Sequence, residues 1–266
     1  MEQPGHHLDS ITPDEIKSAT DELLALVAER LPERFYLRGE AIWRACLTAF
    51  IARMAGILES MRPLAHPNRQ ADALILLRSL YEHLVTFLWL AVDPEPRVED
   101  WYGATMRQRR TVALEALTYG VEGVMSDDQL RAAEEAENLK PLEQRARDVD
   151  TFWGPRIEGL YVQPASGAKH LLTLEGLYLG IFRLASESAH ATAQSVGPWA
   201  REERGDRLLV TLQPRASNLT WSGLAIPLFG MALVIGHERL GWPDEAQVQV
   251  INDALGHEQF TSDEGP

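Results

Sequence analysis

Two stretches of this chain place charged side chains inside otherwise apolar sequence. The first reads RSLYEH at 78–83, where Arg78, Glu82 and His83 interrupt an apolar run from Leu74 to Val92. An ion moved out of water is strongly destabilised unless it is paired and hydrogen-bonded. Arg78 and Glu82 are spaced to pair along a helix, so they need either each other or a ligand. The stretch predicts a polar site on a helix.

The second stretch, IFRLASESAHATAQ, repeats this combination about a hundred residues later. Arg183, Ser186 and His190 follow an i, i+3, i+7 spacing and share one face of a helix, with Glu187 beside them. Alanines and a glycine surround them, and such small side chains let a ligand or another helix approach closely. Arginine is suited to binding phosphate or carboxylate, and histidine can transfer protons near neutral pH.

These two faces predict one shared site if they meet around a cavity. A purely structural interpretation is also open: the Arg78 and Glu82 pair would set the helix register with His83 half solvated, and the second stretch would be a small-residue packing seam. In the functional interpretation, the predicted catalytic residues are His190, Arg183, Glu82 and Arg78, and the predicted binding residues are Ser186, Tyr81 and Glu187.

Composition places the chain among globular proteins, with 266 residues of which 45% are hydrophobic and 24% charged. The net charge of -14 argues against a DNA-coating function, since phosphate binding relies on concentrated basic residues. The tightest basic cluster, at 107–110, is typical of a solvated helix face. The lone Cys46 excludes an internal disulfide and suits a buried structural thiol in the cytoplasm. The N-terminus shows no signal-peptide pattern, which also favours a cytoplasmic protein.

Helix signals recur along the chain, whereas alternating strand patterns are almost absent. Thr12 with Glu15, and Ser126 with Gln129, have the spacing of capping boxes. The predicted fold class is all-α: a single compact bundle of about seven or eight helices, with at most a minor β-hairpin near 207–213. Helices are predicted at about 13–30, 38–61, 67–92, 97–120, 126–149 with a break at Pro141, 171–196, 218–236 and 243–255.

One domain spanning 1–266 is expected, with its core at about 38–240, a peripheral helical segment at 126–152 and a polar tail at 257–266. Residues 153–170 read as a loop that covers a site. Segment 219–236 carries no charge and reaches the lower length of a membrane span. Pro227 and the absence of a second such segment favour a buried central helix over a membrane partner.

Other site chemistries are less well supported. Glu187 and His190 have the Glu-x-x-His spacing of di-iron bundles, but those sites need two such motifs, so no metal and no cofactor are predicted. Zinc-protease, Walker, dinucleotide-binding and nucleophile-elbow motifs are absent from the sequence. Seven tryptophans leave open an aromatic pocket gated by arginines, suited to an anionic or aromatic small molecule.

Both stretches together carry a family resemblance. RSLYEHLVTFLWL, followed by Arg-x-x-Ser-x-x-x-His, resembles uncharacterised bacterial all-helical proteins grouped as a domain of unknown function. More distantly, the pattern is similar to the HEPN superfamily, helical bundles that include metal-independent ribonucleases of toxin and phage-defence systems. The signature there is arginine, four to six residues, then histidine, which matches Arg78 to His83 and Arg183 to His190. Leu184 departs from the polar residue that often follows the arginine.

The HEPN resemblance implies specific roles. His190 would act as general base or acid on a ribose 2′-hydroxyl, and Arg183 would bind the scissile phosphate. Arg78 would be a second donor, and Glu82 would orient one of these groups. RNA would be the partner, and a homodimer would complete the site. The alternative functions are a small-molecule binding protein or acid-base enzyme using an Arg/Glu/His-lined aromatic pocket, and a non-catalytic protein.

Overall fold

The computed structural model describes residues 11–31, 42–121, 124–135, 137–157, 160, 173–183, 185–186, 200–202, 208–210 and 219–241. Within these ranges the chain is an all-α bundle, which confirms the predicted fold class. The α-helices are α1 (Pro13–Arg30), α2 (Ile42–Met61), α3 (Gln70–Val92), α4 (Pro94–Thr118), α5 (Asp127–Glu135), α6 (Leu142–Ile157), α7 (Leu174–Leu177) and α8 (Thr220–Leu240). Two 3-10 turns, Arg62–Leu64 and Pro67–Arg69, join α2 to α3.

Helix α3 lies at the centre of the bundle and packs against α2, α6 and α8. Most of its residues from Leu80 to Ala91 are fully or nearly fully buried, and α8 is buried almost without interruption from Ser222 to Gly236. Neither helix has the one-sided apolar stripe of a surface helix, because neighbours cover several faces. Helix α3 therefore carries Gln70 and Thr86 into the interior of the fold, whereas Arg78 and Glu82 stay partly exposed.

The apolar helix predicted at 218–236 is present as α8, with 83% of its most apolar window buried in the bundle. By length and composition a second helix, Pro67–Val92, also passes the test for a membrane span, with 61% of its window buried. The expectation of no second such segment was therefore wrong. The core helix of a globular protein passes the same test, and cellular location stays a prediction.

Several predicted boundaries differ from the structure. Helix α4 begins at Pro94 rather than near Arg97, because a proline in the first helical turn lacks only an N–H that would have no intrahelical acceptor. The segment from Leu142 onward is not peripheral, since Val149 and Trp153 belong to the main core. Helix α6 also continues through Pro155 to Ile157, into the range predicted as a loop.

Predictions about local features agree closely with the structure. Ser126 and Gln129 exchange the two hydrogen bonds of a capping box ahead of α5, as Thr12 and Glu15 do ahead of α1. Two short strands, β1 (Ala200–Glu202) and β2 (Leu208–Val210), pair antiparallel. Strand β2 lies within the range 207–213 where a minor hairpin is predicted, and β1 lies before that range. The predicted helix at 243–255 and tail at 257–266 lie outside the described residues. The single-domain division stays a prediction.

Cys46 on α2 is half-buried, and burial raises the pKa of its thiol to about 11. Because the thiolate is the nucleophile, iodoacetamide should modify Cys46 of the folded protein slowly at pH 8 and faster once urea unfolds it. The reaction is followed by mass spectrometry. Since the unfolded thiol ionises near its ordinary value of 9.0, stability should fall as pH rises from about 9 to 11. Equal labelling of folded and unfolded protein at pH 8 contradicts this protection.

Candidate functional site

Arg78 and Glu82 form an ion pair along α3, as their spacing predicts. The distance from Arg78 Nε to Glu82 Oε1 is 3.4 Å, and the side chains are 27% and 39% exposed. The pair is therefore partly open to solvent rather than sealed in the core. Pairs with this exposure contribute little to stability, so both groups can exchange partners with a ligand at low cost.

His83 lies next to this pair and is partly exposed, as expected. Its Nδ1 lies 2.6 Å from the backbone oxygen of Ser79. Because a carbonyl oxygen only accepts hydrogen bonds, Nδ1 is the donor in this contact and carries a proton. The ring packs edge-on against Phe50 at 6.0 Å. This contact directs the imidazole toward α2.

Short helix α7 is anchored firmly at its N-terminal end. The carboxylate of Asp150 accepts hydrogen bonds from the backbone N–H groups of Leu174 and Glu175, at 3.0 and 2.8 Å. Thr173 adds an N-cap by accepting from the backbone N–H of Gly176. These contacts satisfy donors that a helix start leaves open, which is how α6 fixes the position of α7.

Tyr81 connects α3 to this anchored helix. Its ring is fully buried, and its hydroxyl donates to the backbone oxygen of Leu174 at 2.6 Å. Burial raises the pKa of Tyr81, and the negative charge of Asp150 adds to the effect. The sequence pattern predicts Tyr81 as a ligand-binding residue. In the structure it is instead a buried tether between two helices, because the whole side chain is shielded from solvent.

A π-helical segment, Tyr178–Arg183, continues directly from α7. Such wide turns cost stability and occur frequently at functional sites. The rings of Tyr178 and Phe182 stack within it, at 5.0 Å between centroids. Sequence periodicity predicts an ordinary α-helix here and gives no sign of the wider turn.

The two predicted stretches meet at this segment. The guanidinium carbon of Arg78 lies 4.5 Å from the centre of the Phe182 ring, a cation–π contact. Arg183 is the next residue along the chain and ends the π-helical segment. The hydroxyl of Ser186 donates to the backbone oxygen of Phe182 at 2.6 Å, so it has acceptor capacity left for a ligand. The predictions for Glu187, His190 and the side chain of Arg183 lie outside the described residues.

Arg145 on α6 is a further cation at the site, which sequence reasoning missed. It donates to Thr86 Oγ1 at 2.7 Å and to the backbone oxygen of Lys140 at 3.1 Å. Burial lowers the pKa of Arg145, while the negative charge of Glu82 opposes the shift. The sequence does contain one sign that Arg145 lies near the core. The spacing of Ala146, Val149 and Trp153 places three apolar side chains on one side of α6, next to Arg145.

One cleft in the described part of the chain has a volume of about 440 Å³. Its lining differs from the expected arginine-gated aromatic pocket, because acidic side chains prevail and Arg78, Glu82 and Tyr81 do not contribute. No group of three or more potential metal ligands occurs among the described residues. The cleft is lined by Trp89, Glu99, Asp100, Gly103, Glu137, Asn138, Leu139 and Lys140.

Comparison with known proteins gives one match. The model of a family of unknown function (DUF5677) matches residues 44–206, which is more than half of the chain. The matched region runs from α2 through the π-helical segment to β1, so it contains both polar stretches. No curated protein and no solved structure matches the chain. The chain therefore belongs to the DUF5677 family of unknown function.

Proposed function

We propose that this chain is a metal-independent ribonuclease of the HEPN type, with Arg183 and His190 acting on the scissile phosphate group. The observation that carries the proposal is the contact of Arg78 with Phe182, because it brings the α3 ion pair to the segment that ends at Arg183. In this proposal the guanidinium groups of Arg78 and Arg183 share the charge of one phosphate at this point. The partial exposure of Arg78 and Glu82 leaves that point accessible.

The proposed reaction is a transesterification within the RNA strand. His190 removes the proton of a ribose 2′-hydroxyl as the 2′-oxygen forms a bond to phosphorus. The bond from phosphorus to the 5′-oxygen breaks, and that oxygen takes a proton from an acid, which leaves a 2′,3′-cyclic phosphate. Arg183 and Arg78 stabilise the charge that develops on the phosphoryl oxygens. Glu82 holds Arg78 in position until RNA binds.

The test uses a fluorescent, unstructured RNA oligonucleotide in buffer containing EDTA. We expect cleavage to persist without divalent metal and to stop when the nucleotide at the cleavage site is replaced by its 2′-deoxy form. Arg183→Ala and His190→Ala should each lower the rate by about 100-fold or more while the circular dichroism spectrum stays unchanged. Arg53 on α2 is exposed, so Arg53→Ala is the matched control and should cleave like the parent protein.

Other outcomes separate the alternative functions. If the parent protein cleaves no RNA and Arg78→Ala merely lowers the melting temperature, the ion pair is structural and the proposal fails. A small molecule retained in native mass spectra that is lost in Arg78→Ala supports the binding-protein alternative instead. HEPN nucleases build their site across a dimer, so sedimentation of the active protein should show a dimer.

A further inference from the structure

Arg145 and Arg78 approach Glu82 from two different turns of α3. Arg78 pairs with Glu82 from one helical turn before it. Thr86 lies one turn after Glu82, and its hydroxyl donates to the backbone oxygen of Glu82 and accepts from Arg145 Nη1, both at 2.7 Å. The Cα atoms of Arg78 and Thr86 are about 12 Å apart along the helix axis. Glu82 therefore lies between the residues that hold the two guanidinium groups.

Arg145 is a half-buried cation without a carboxylate partner of its own. Its two hydrogen bonds go to neutral acceptors, the hydroxyl of Thr86 and the backbone oxygen of Lys140. Among the described residues no carboxylate lies at ion-pair distance from Arg145, and Glu82, whose negative charge acts on it, already pairs with Arg78. Since a cation withdrawn from water is stabilised by a nearby anion, this position favours an anionic ligand.

One edge of the Arg145 guanidinium is open. A guanidinium carries N–H donors on all three nitrogens, and Arg145 uses Nε and Nη1 inside the protein. Within the described ranges Nη2 makes no hydrogen bond, and it is not among the buried polar atoms that lack a partner, so it reaches solvent. Thr86 and Lys140 fix the other edge, which holds Nη2 in one orientation.

We propose that Arg145 binds a second phosphate of the RNA strand, next to the phosphate that is cleaved. This inference rests on the proposed ribonuclease function and makes Arg145 a binding residue that favours substrates with a further phosphate on one side of the cleavage site. Arg78 and Arg183 stay at the scissile phosphate, and Arg145 contacts its neighbour through Nη2. Every nucleotide of the strand carries a phosphate, so a strand that crosses these arginines presents both groups.

The experiment compares non-cleavable dinucleotides that carry a 2′-deoxy group at the cleavage position. One has a single phosphate between its nucleosides, and the other two add a terminal phosphate at the 5′ or at the 3′ end. NMR titration of the full chain gives dissociation constants and follows the Nε–H resonance of Arg145, identified by its absence in Arg145→Gln. We expect one of the terminal phosphates to tighten binding at least about fivefold and to shift this resonance.

Variants test whether Arg145 provides this gain in affinity. Arg145→Gln should remove the gain and leave the dissociation constant of the single-phosphate dinucleotide within about twofold of the parent value. Thr86→Val removes the acceptor that orients Nη1 without changing the charge, so it should reduce the gain even if Arg145→Gln folds poorly. Arg53 is exposed on α2, so Arg53→Gln is the control for lost charge and should keep the full gain.

Three results overturn the proposal: neither terminal phosphate tightens binding, Arg145→Gln weakens all three dinucleotides equally, or Arg53→Gln loses the gain as well. Cleavage of the corresponding ribose dinucleotides is measured separately. If the parent protein cleaves none of them but the gain depends on Arg145, the ribonuclease proposal fails and the phosphate site stands. Cleavage without any gain from a terminal phosphate refutes the role of Arg145 alone.

Discussion

Replacing Gln70 with methionine is expected to lower the free energy of unfolding by about 2–4 kcal/mol, because the side-chain amide of Gln70 makes several buried hydrogen bonds that methionine cannot make. Gln70 is only 4% exposed at the start of α3. Its Nε2 lies within hydrogen-bond distance of the backbone oxygens of Leu64 and His66 and of Ser222 Oγ, and its two N–H groups share these three acceptors. Its Oε1 accepts from the backbone N–H groups of Trp221 and Ser222.

The size of this effect follows from the missing cap of α8. Leu219 stands at the N-cap position and offers no side-chain acceptor, so Gln70 satisfies the first-turn donors from another helix. Methionine has a similar shape, but it leaves these buried groups without partners. Urea unfolding followed by circular dichroism measures the change, and hydrogen exchange should quicken at the Trp221 and Ser222 amides.

Gln108 provides the matched control because it is exposed on α4. Gln108→Met should change the free energy of unfolding by no more than about 0.5 kcal/mol. If both variants unfold alike, or if the two amides keep their protection in Gln70→Met, the proposed capping role of Gln70 is wrong.

Truncating Tyr81 to alanine is expected to have a comparably large effect, about 3–5 kcal/mol, because it opens a cavity where α3 meets α7. Tyr81→Phe keeps the ring and should cost only about 1 kcal/mol. The loss is modest because the backbone N–H of Tyr178 also donates to the oxygen of Leu174, so that carbonyl keeps one partner. Thermal and urea unfolding measure both variants.

The same residue predicts a pH dependence. Because burial raises the pKa of Tyr81 in the folded state, the unfolded chain ionises first, near the ordinary value of 10.0. Folded stability should therefore fall as pH rises above 10, and part of that fall should be absent in Tyr81→Phe. Tyr102 is exposed, so Tyr102→Phe should retain the full pH dependence. Identical pH profiles for the Tyr81 and Tyr102 variants contradict a buried phenol.

Local signals predicted much of this architecture because helix formation depends on neighbours in sequence. The capping boxes at Thr12 and Ser126 and the uncharged run of α8 are properties of short segments, and they identify helices without knowledge of the fold. Helix α6 shows the limit of such signals. Its charged residues suggest an exposed helix, whereas Trp153 fixes it in the core by donating from Nε1 to the backbone oxygen of Leu88.

The candidate site likewise combines a contact that the sequence predicts with contacts that only packing creates. Spacing alone pairs Arg78 with Glu82, since the two side chains lie one helical turn apart. No local pattern shows that Arg145 joins them from α6, or that Trp89 borders an acidic cleft. Those neighbours are distant along the chain and become adjacent only through packing.

Periodicity and capping act over a few residues, so they are enough to predict an all-α bundle, its capped helix starts and two polar stretches inside apolar helices. Long-range packing places Arg78 against Phe182 beside Arg183, makes Tyr81 a tether, and brings Gln70 to the start of α8 as its cap. Each of these contacts joins residues that are far apart in sequence, and only the burial of apolar surface between helices brings them together.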